Sequence, residues 1–134
     1  MSNLDNQGSS KIEVAGSKKG RQFFDEHMDY IAKNDIDGML DKQYHEDAVL
    51  VTFFDYKDTP PPHVIKGREE LKKFFEEYLA TLGFIELTKM SEVAETEDMI
   101  LFQASFNCKL GERRVSDGWY LKEGKILRHF GSAL

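Results

Sequence analysis

Two stretches of this chain carry apolar residues at helical spacing, and everything after Gly83 carries them at strand spacing. Phe23, Phe24, His27, Met28 and Ile31 fall on one face, which predicts a helix from about Ser17 to Lys33. Asn34-Asp35 breaks it, and Asp35 is placed to cap a short second helix through Tyr44. His45-Glu46-Asp47 reads as a turn. Ala48 to Phe54 is a nearly continuous apolar run, the pattern of a strand covered on both faces. A loop holding Pro60-Pro61-Pro62 follows, from Asp55 to Pro62. Gly67 to Leu82 is the clearest helix: Leu71, Phe74, Phe75, Tyr78, Leu79 and Leu82 form one stripe. Gly83 stops it.

The remainder predicts strands at Ile85–Ala94, Asp98–Leu110, Arg113–Lys122 and Lys125–Ser132, with hairpin turns at Gly111 and Gly124. In the second of these, Ile100, Phe102, Ala104, Phe106 and Cys108 share a face opposite Gln103, Ser105 and Asn107. Helices first and antiparallel strands afterwards argue an α+β fold, with helices packed on one face of a curved sheet.

Alternation singles out Asp117. Val115, Asp117, Trp119 and Leu121 point one way, and Arg114, Ser116, Gly118 and Tyr120 point the other. The carboxylate therefore falls on an apolar face, where an unpaired charge costs several kcal/mol or is avoided by protonation. Such a group is a candidate acid; the structural alternatives are a partner arginine, loop amides, or a bulge at Gly118 that turns it outward.

The chain has 134 residues, enough for a single domain with one core. Residues 1–16 are small and polar and read as a disordered tail, leaving 17–134 as the domain. Net charge is −6 and the basic clusters are short, which disfavours nucleic acid. The single cysteine, Cys108, rules out an internal disulfide framework and a cysteine-rich zinc site, and reads as a small core residue. No stretch approaches the ~18 apolar residues of a membrane span. With no apolar signal core either, the expected location is cytoplasmic. His45, Glu46 and Asp47 are adjacent and do not converge on one ion, so no metal site is expected. No phosphate loop or nucleophile elbow is present, and no cofactor is expected.

Three stretches give the chain a resemblance. They are Asn34-Asp35-Ile36-Asp37-Gly38 with Tyr44-His45-Glu46-Asp47-Ala48-Val49; Ile65-Lys66-Gly67-Arg68-Glu69-Glu70-Leu71; and Asp117-Gly118-Trp119 with Glu123-Gly124-Lys125-Ile126. In this order the chain resembles the ketosteroid isomerase and SnoaL-like polyketide cyclase superfamily. That resemblance implies the nuclear transport factor-like, or cystatin-like, cone. A curved, mixed but mainly antiparallel sheet wraps around three N-terminal helices and leaves an apolar cavity at its wide end. It also implies a homodimer packed through the outer sheet face, where Gln103, Ser105, Asn107 and Tyr120 lie.

The resemblance supplies site positions one at a time. His27 stands where the isomerases carry a helix tyrosine that donates to the substrate carbonyl, and Tyr30 lies one turn on. Thr52 stands where they carry the general-base aspartate and cannot act as a base near neutral pH, which argues against classical steroid isomerisation. Asp117 matches the acid beside the oxyanion. Thr52, Phe54 and Trp119 are expected to contact a ligand along the cavity wall, and His63 to border its mouth from a loop. The alternation around His129 does not decide which face of the last strand is buried.

Two readings follow. One is a cofactor-independent isomerase or cyclase acting on a small hydrophobic carbonyl compound, with Asp117 as acid and His27 as its partner. The other is a non-catalytic ligand-binding or association domain.

Overall fold

A computed structural model describes residues 13–14 and 18–133. In chain order the elements are β1 (Glu13–Val14), α1 (Lys18–Ala32), α2 (Ile36–Gln43), β2 (Tyr44–Thr52), β3 (His63–Lys66) and α3 (Arg68–Leu82). They continue with β4 (Glu86–Glu95), β5 (Met99–Cys108), β6 (Gly111–Lys122) and β7 (Lys125–Ala133). One sheet holds every strand, in the order β1-β4-β5-β6-β7-β2-β3. All neighbours are antiparallel except β2 and β7, which run parallel. This is the expected α+β architecture, three helices against a mostly antiparallel curved sheet that does not close.

Local sequence explains the helix boundaries. Asp35 caps α2 by accepting from the Gly38 amide at 3.0 Å. At Gly83 (φ 75°) the backbone turns left-handed, and its N–H closes α3 onto the Leu79 carbonyl. Leu71, Phe74, Phe75 and Leu82 are buried as the stripe predicts. Phe24 of α1 meets Phe102 of β5, ring centroids 4.8 Å apart, in the edge-on geometry that aromatic pairs favour.

Four expectations change. Glu13 and Val14 lie in the tail read as disordered, yet they pair with Glu95 and Ala94 as β1; residues 1–12 and 15–16 lie outside the described residues. His45-Glu46-Asp47 belongs to β2 rather than a turn, inside the register shift between Tyr44 and Val49 where β2 bulges against β7. β2 is not covered on both faces: Ala48, Leu50 and Thr52 are buried, while Val49 and Val51 are half-buried. His63 is the buried first residue of β3, paired with Thr52, rather than a loop residue.

The outer face is more apolar than β5 alone suggests. Register aligns Val64, Val51, Phe130, Gly118 and Leu101 in one row across β3, β2, β7, β6 and β5. Val64, Phe130 and Leu101 are exposed in that row. Among the described residues, no helix is long and apolar enough to cross a membrane.

Candidate functional site

Strand register assembles the site. Thr52, Gly131, Asp117 and Phe102 stand side by side on β2, β7, β6 and β5. Two residues along, on the same face, stand Leu50, His129, Trp119 and Ile100. His129 is thus the diagonal neighbour of Asp117, and its Nε2 lies 2.7 Å from Asp117 Oδ2. Tyr44, at the start of β2, reaches His129 Nδ1 from the other side at 2.8 Å. Tyr44 and His129 are buried, and Asp117 is half-buried.

Proton positions follow from satisfying the buried groups. Burial pushes the Tyr44 phenol well above its ordinary value, the Asp117 carboxylate adds to this, and Tyr78 adds further. Tyr44 therefore keeps its proton. Among the described residues its hydroxyl has one hydrogen-bond partner, His129 Nδ1, so the phenol donates there. The imidazole proton then sits on Nε2 and donates to Asp117 Oδ2. Among the described residues, the second carboxylate oxygen, Oδ1, has no hydrogen-bond partner.

Asp117 lines a cavity between sheet and helices that encloses about 80 Å3 of free space. Phe24, Phe54, Phe74, Phe75 and Tyr78 supply much of its wall, and Thr52, Asp117, His27 and His129 supply side-chain polar groups. Burial, with smaller contributions from Asp117 and Cys108, also raises the Tyr78 phenol, so it stays neutral. The volume is below the roughly 300–1,000 Å3 of drug-sized sites, so a ligand that enters without rearrangement is small.

His27 lines the cavity but is not the partner of Asp117. Its Nδ1 lies 3.0 Å from Gln43 Oε1, and Gln43 Nε2 donates to the Phe23 carbonyl at 3.0 Å. Orienting the amide this way makes His27 Nδ1 the donor and leaves Nε2 as an acceptor. Burial lowers the His27 pKa to about 3; neighbouring His129 adds to the effect and the Gln43 hydrogen bond opposes it. Near neutral pH this ring is a neutral hydrogen-bonding group and a poor base.

The other sequence candidates divide. Thr52 and Phe54 line the cavity, as does Asp117. Three do not. Tyr30 is a half-buried residue packed against the core cluster from the side. His63 packs edge-on against Tyr56, ring centroids 5.1 Å apart. Trp119 is fully buried behind the wall, among Phe23, His27, Phe102 and His129. Tyr44, His129 and Gly131 are the residues that sequence reasoning did not select. Among the described residues, no three His, Cys, Asp or Glu side chains gather to hold a metal ion.

Comparison with solved structures places this geometry in a known fold. A SnoaL-like protein of unknown function from Burkholderia thailandensis superimposes with a TM-score of 0.68 at 14% identity, covering 90% of this chain and 99% of that one. IdmH from Streptomyces antibioticus, a candidate polyketide cyclase, gives 0.65 at 13% identity, covering 86% and 91%. TerC, co-crystallised with polyporic acid, gives 0.67 at 18% identity, covering 84% and 88%. The chain has the fold of the SnoaL-like and NTF2-like proteins. No family model matches the sequence, and no curated protein matches it significantly.

Proposed function

We propose that this protein is a cofactor-independent acid–base enzyme of the isomerase or cyclase type, acting on a small hydrophobic carbonyl compound. The observation that carries the reading is the Tyr44–His129–Asp117 relay, which ends at a residue lining an apolar cavity, with one carboxylate oxygen that has no partner among the described residues. Asp117 Oδ1 takes the proton from the carbon beside the carbonyl, and the C–H electron pair moves to the carbonyl oxygen as an enolate. Asp117, now protonated, is the acid that returns the proton at the product position. His129 Nε2–H holds Asp117 through Oδ2 and stabilises the carboxylate before the first transfer and after the second, and the apolar wall excludes water. The SnoaL-like likeness and the candidate cyclase among the solved structures agree with this class without fixing a substrate.

A passive binding domain is the second reading. Thr52 at the position of the isomerase base, and the small volume of the cavity, favour it.

Hydrogen–deuterium exchange at enolisable positions separates the two. The protein is expected to accelerate deuterium uptake from D2O into cyclic ketones and 1,3-diketones, followed by proton NMR. Asp117→Asn keeps an acceptor for His129 but cannot take a proton, so it should lower that rate at least ~100-fold, as for loss of a general acid–base group. Equal exchange by both proteins, or none by either, would leave the passive reading.

A further inference from the structure

The row that carries Asp117 has a gap in it. Thr52 and Asp117 flank Gly131, whose bare Cα leaves open the space between their side chains. A Cβ built on Gly131 would stand 3.6 and 3.8 Å from the two Asp117 oxygens and 3.7 Å from Thr52 Oγ1. Those are ordinary contacts, so fold packing does not require the glycine, and its backbone is not among the left-handed residues. All three residues line the cavity.

The two flanking groups have complementary needs. Thr52 Oγ1 accepts from the Phe54 amide at 3.0 Å. Its hydroxyl proton has no acceptor among the described residues, although the residue is only 5% exposed. Asp117 accepts from His129 at Oδ2, and Oδ1 has no donor among the described residues. One side of the gap therefore offers a donor and the other an acceptor.

We infer that the gap over Gly131 is the seat for a ligand hydroxyl of the enol or phenol type. Its oxygen accepts from Thr52, and its O–H donates to Asp117 Oδ1. This rests on the proposed function and adds to it: the ligand form bound best is the enol, with its oxygen on the sheet and its carbon skeleton among the aromatic residues. A saturated hydrocarbon fits the wall but leaves both groups unpaired. A plain ketone satisfies Thr52 and leaves the carboxylate without a donor. Gly131 is the specificity-determining position, because a methyl there pushes any ligand away from both oxygens without disturbing the relay behind them.

A matched pair of probes tests this by 19F NMR titration. 4-Fluorophenol and 4-fluorotoluene have nearly the same shape and differ in a hydroxyl against a methyl. The unaltered protein is expected to prefer 4-fluorophenol by about tenfold to a hundredfold, the range for hydrogen bonds that include a charged partner. Gly131→Ala displaces both rings alike, so only the phenol loses hydrogen bonds and the preference should collapse. Thr52→Val should also reduce it, and Thr52→Ser should restore it. If both probes bind but Gly131→Ala keeps the preference, the seat is overturned while the cavity reading stands. If the unaltered protein binds both equally, the same holds. Failure of both probes to bind the unaltered protein would refute the binding cavity itself, and the seat with it.

Discussion

Trp119→Ala is expected to destabilise the protein by about 3–5 kcal/mol, the usual cost of truncating a fully buried large aromatic residue. Trp119 has no exposed surface, and its ring centroid lies 4.8 Å from those of both His27 and Phe102 and 5.3 Å from that of Phe23. It joins α1 to the sheet directly behind the Asp117–His129 pair, so its loss should loosen the site as well as the core. Tyr120, the next residue, points to the outer face and is exposed. Its replacement by alanine should cost well under about 1 kcal/mol, as surface changes do. Urea unfolding midpoints of the two variants provide the check. Equal losses would mean that β6 does not present alternate faces as described.

Acid should weaken the fold through His27. Its pKa falls from 6.5 to about 3 in the folded protein, so the unfolded chain binds a proton that the folded one refuses. For a base with a lowered pKa, the stabilisation is complete above the unfolded value and is lost as pH falls towards the folded one. The window therefore runs from about 6.5 down to about 3, and the loss across it is on the order of 4 kcal/mol. His27→Asn keeps a donor for Gln43 and cannot titrate, so stability should depend less on pH across this window. Urea unfolding at several pH values between 4 and 7 reads the slope; a slope unchanged in His27→Asn would contradict the burial of a neutral imidazole.

Much of the fold was legible because its signals are local. The α3 stripe ending at Gly83, the Asp35 cap and the alternation of β5 need only neighbouring residues. The inward placement of Asp117 was legible for the same reason. His129 was not, and the cause is a single irregularity. At the turn end of the β6–β7 hairpin Leu121 faces Ile126, but beyond a register shift Tyr120 faces Arg128. Ile126 and His129 are both buried although three residues apart, a spacing that strict alternation forbids. Counting back from the turn would put Phe130 opposite Asp117 and send His129 outward. Tyr44 was hidden for a different reason: it reads as the end of the second helix before a turn, whereas it opens β2 on the same face as Ala48, Leu50 and Thr52. Gly131 carries no side chain to attract notice, and its meaning appears only once Thr52 and Asp117 are seen on either side of it.

Every role given to Asp117 depends on the direction of the hydrogen bonds running from Tyr44 through His129. Two-bond proton–nitrogen NMR of the imidazole of His129 reads that direction, with His129→Gln for assignment. The expected result is a ring protonated on Nε2 and bare at Nδ1, with Tyr44→Phe shifting the Nδ1 resonance most. A ring protonated on Nδ1 with Nε2 bare would mean that Asp117 spends its own proton on His129, and the uncommitted carboxylate oxygen at the cavity would be lost as the seat of proton transfer.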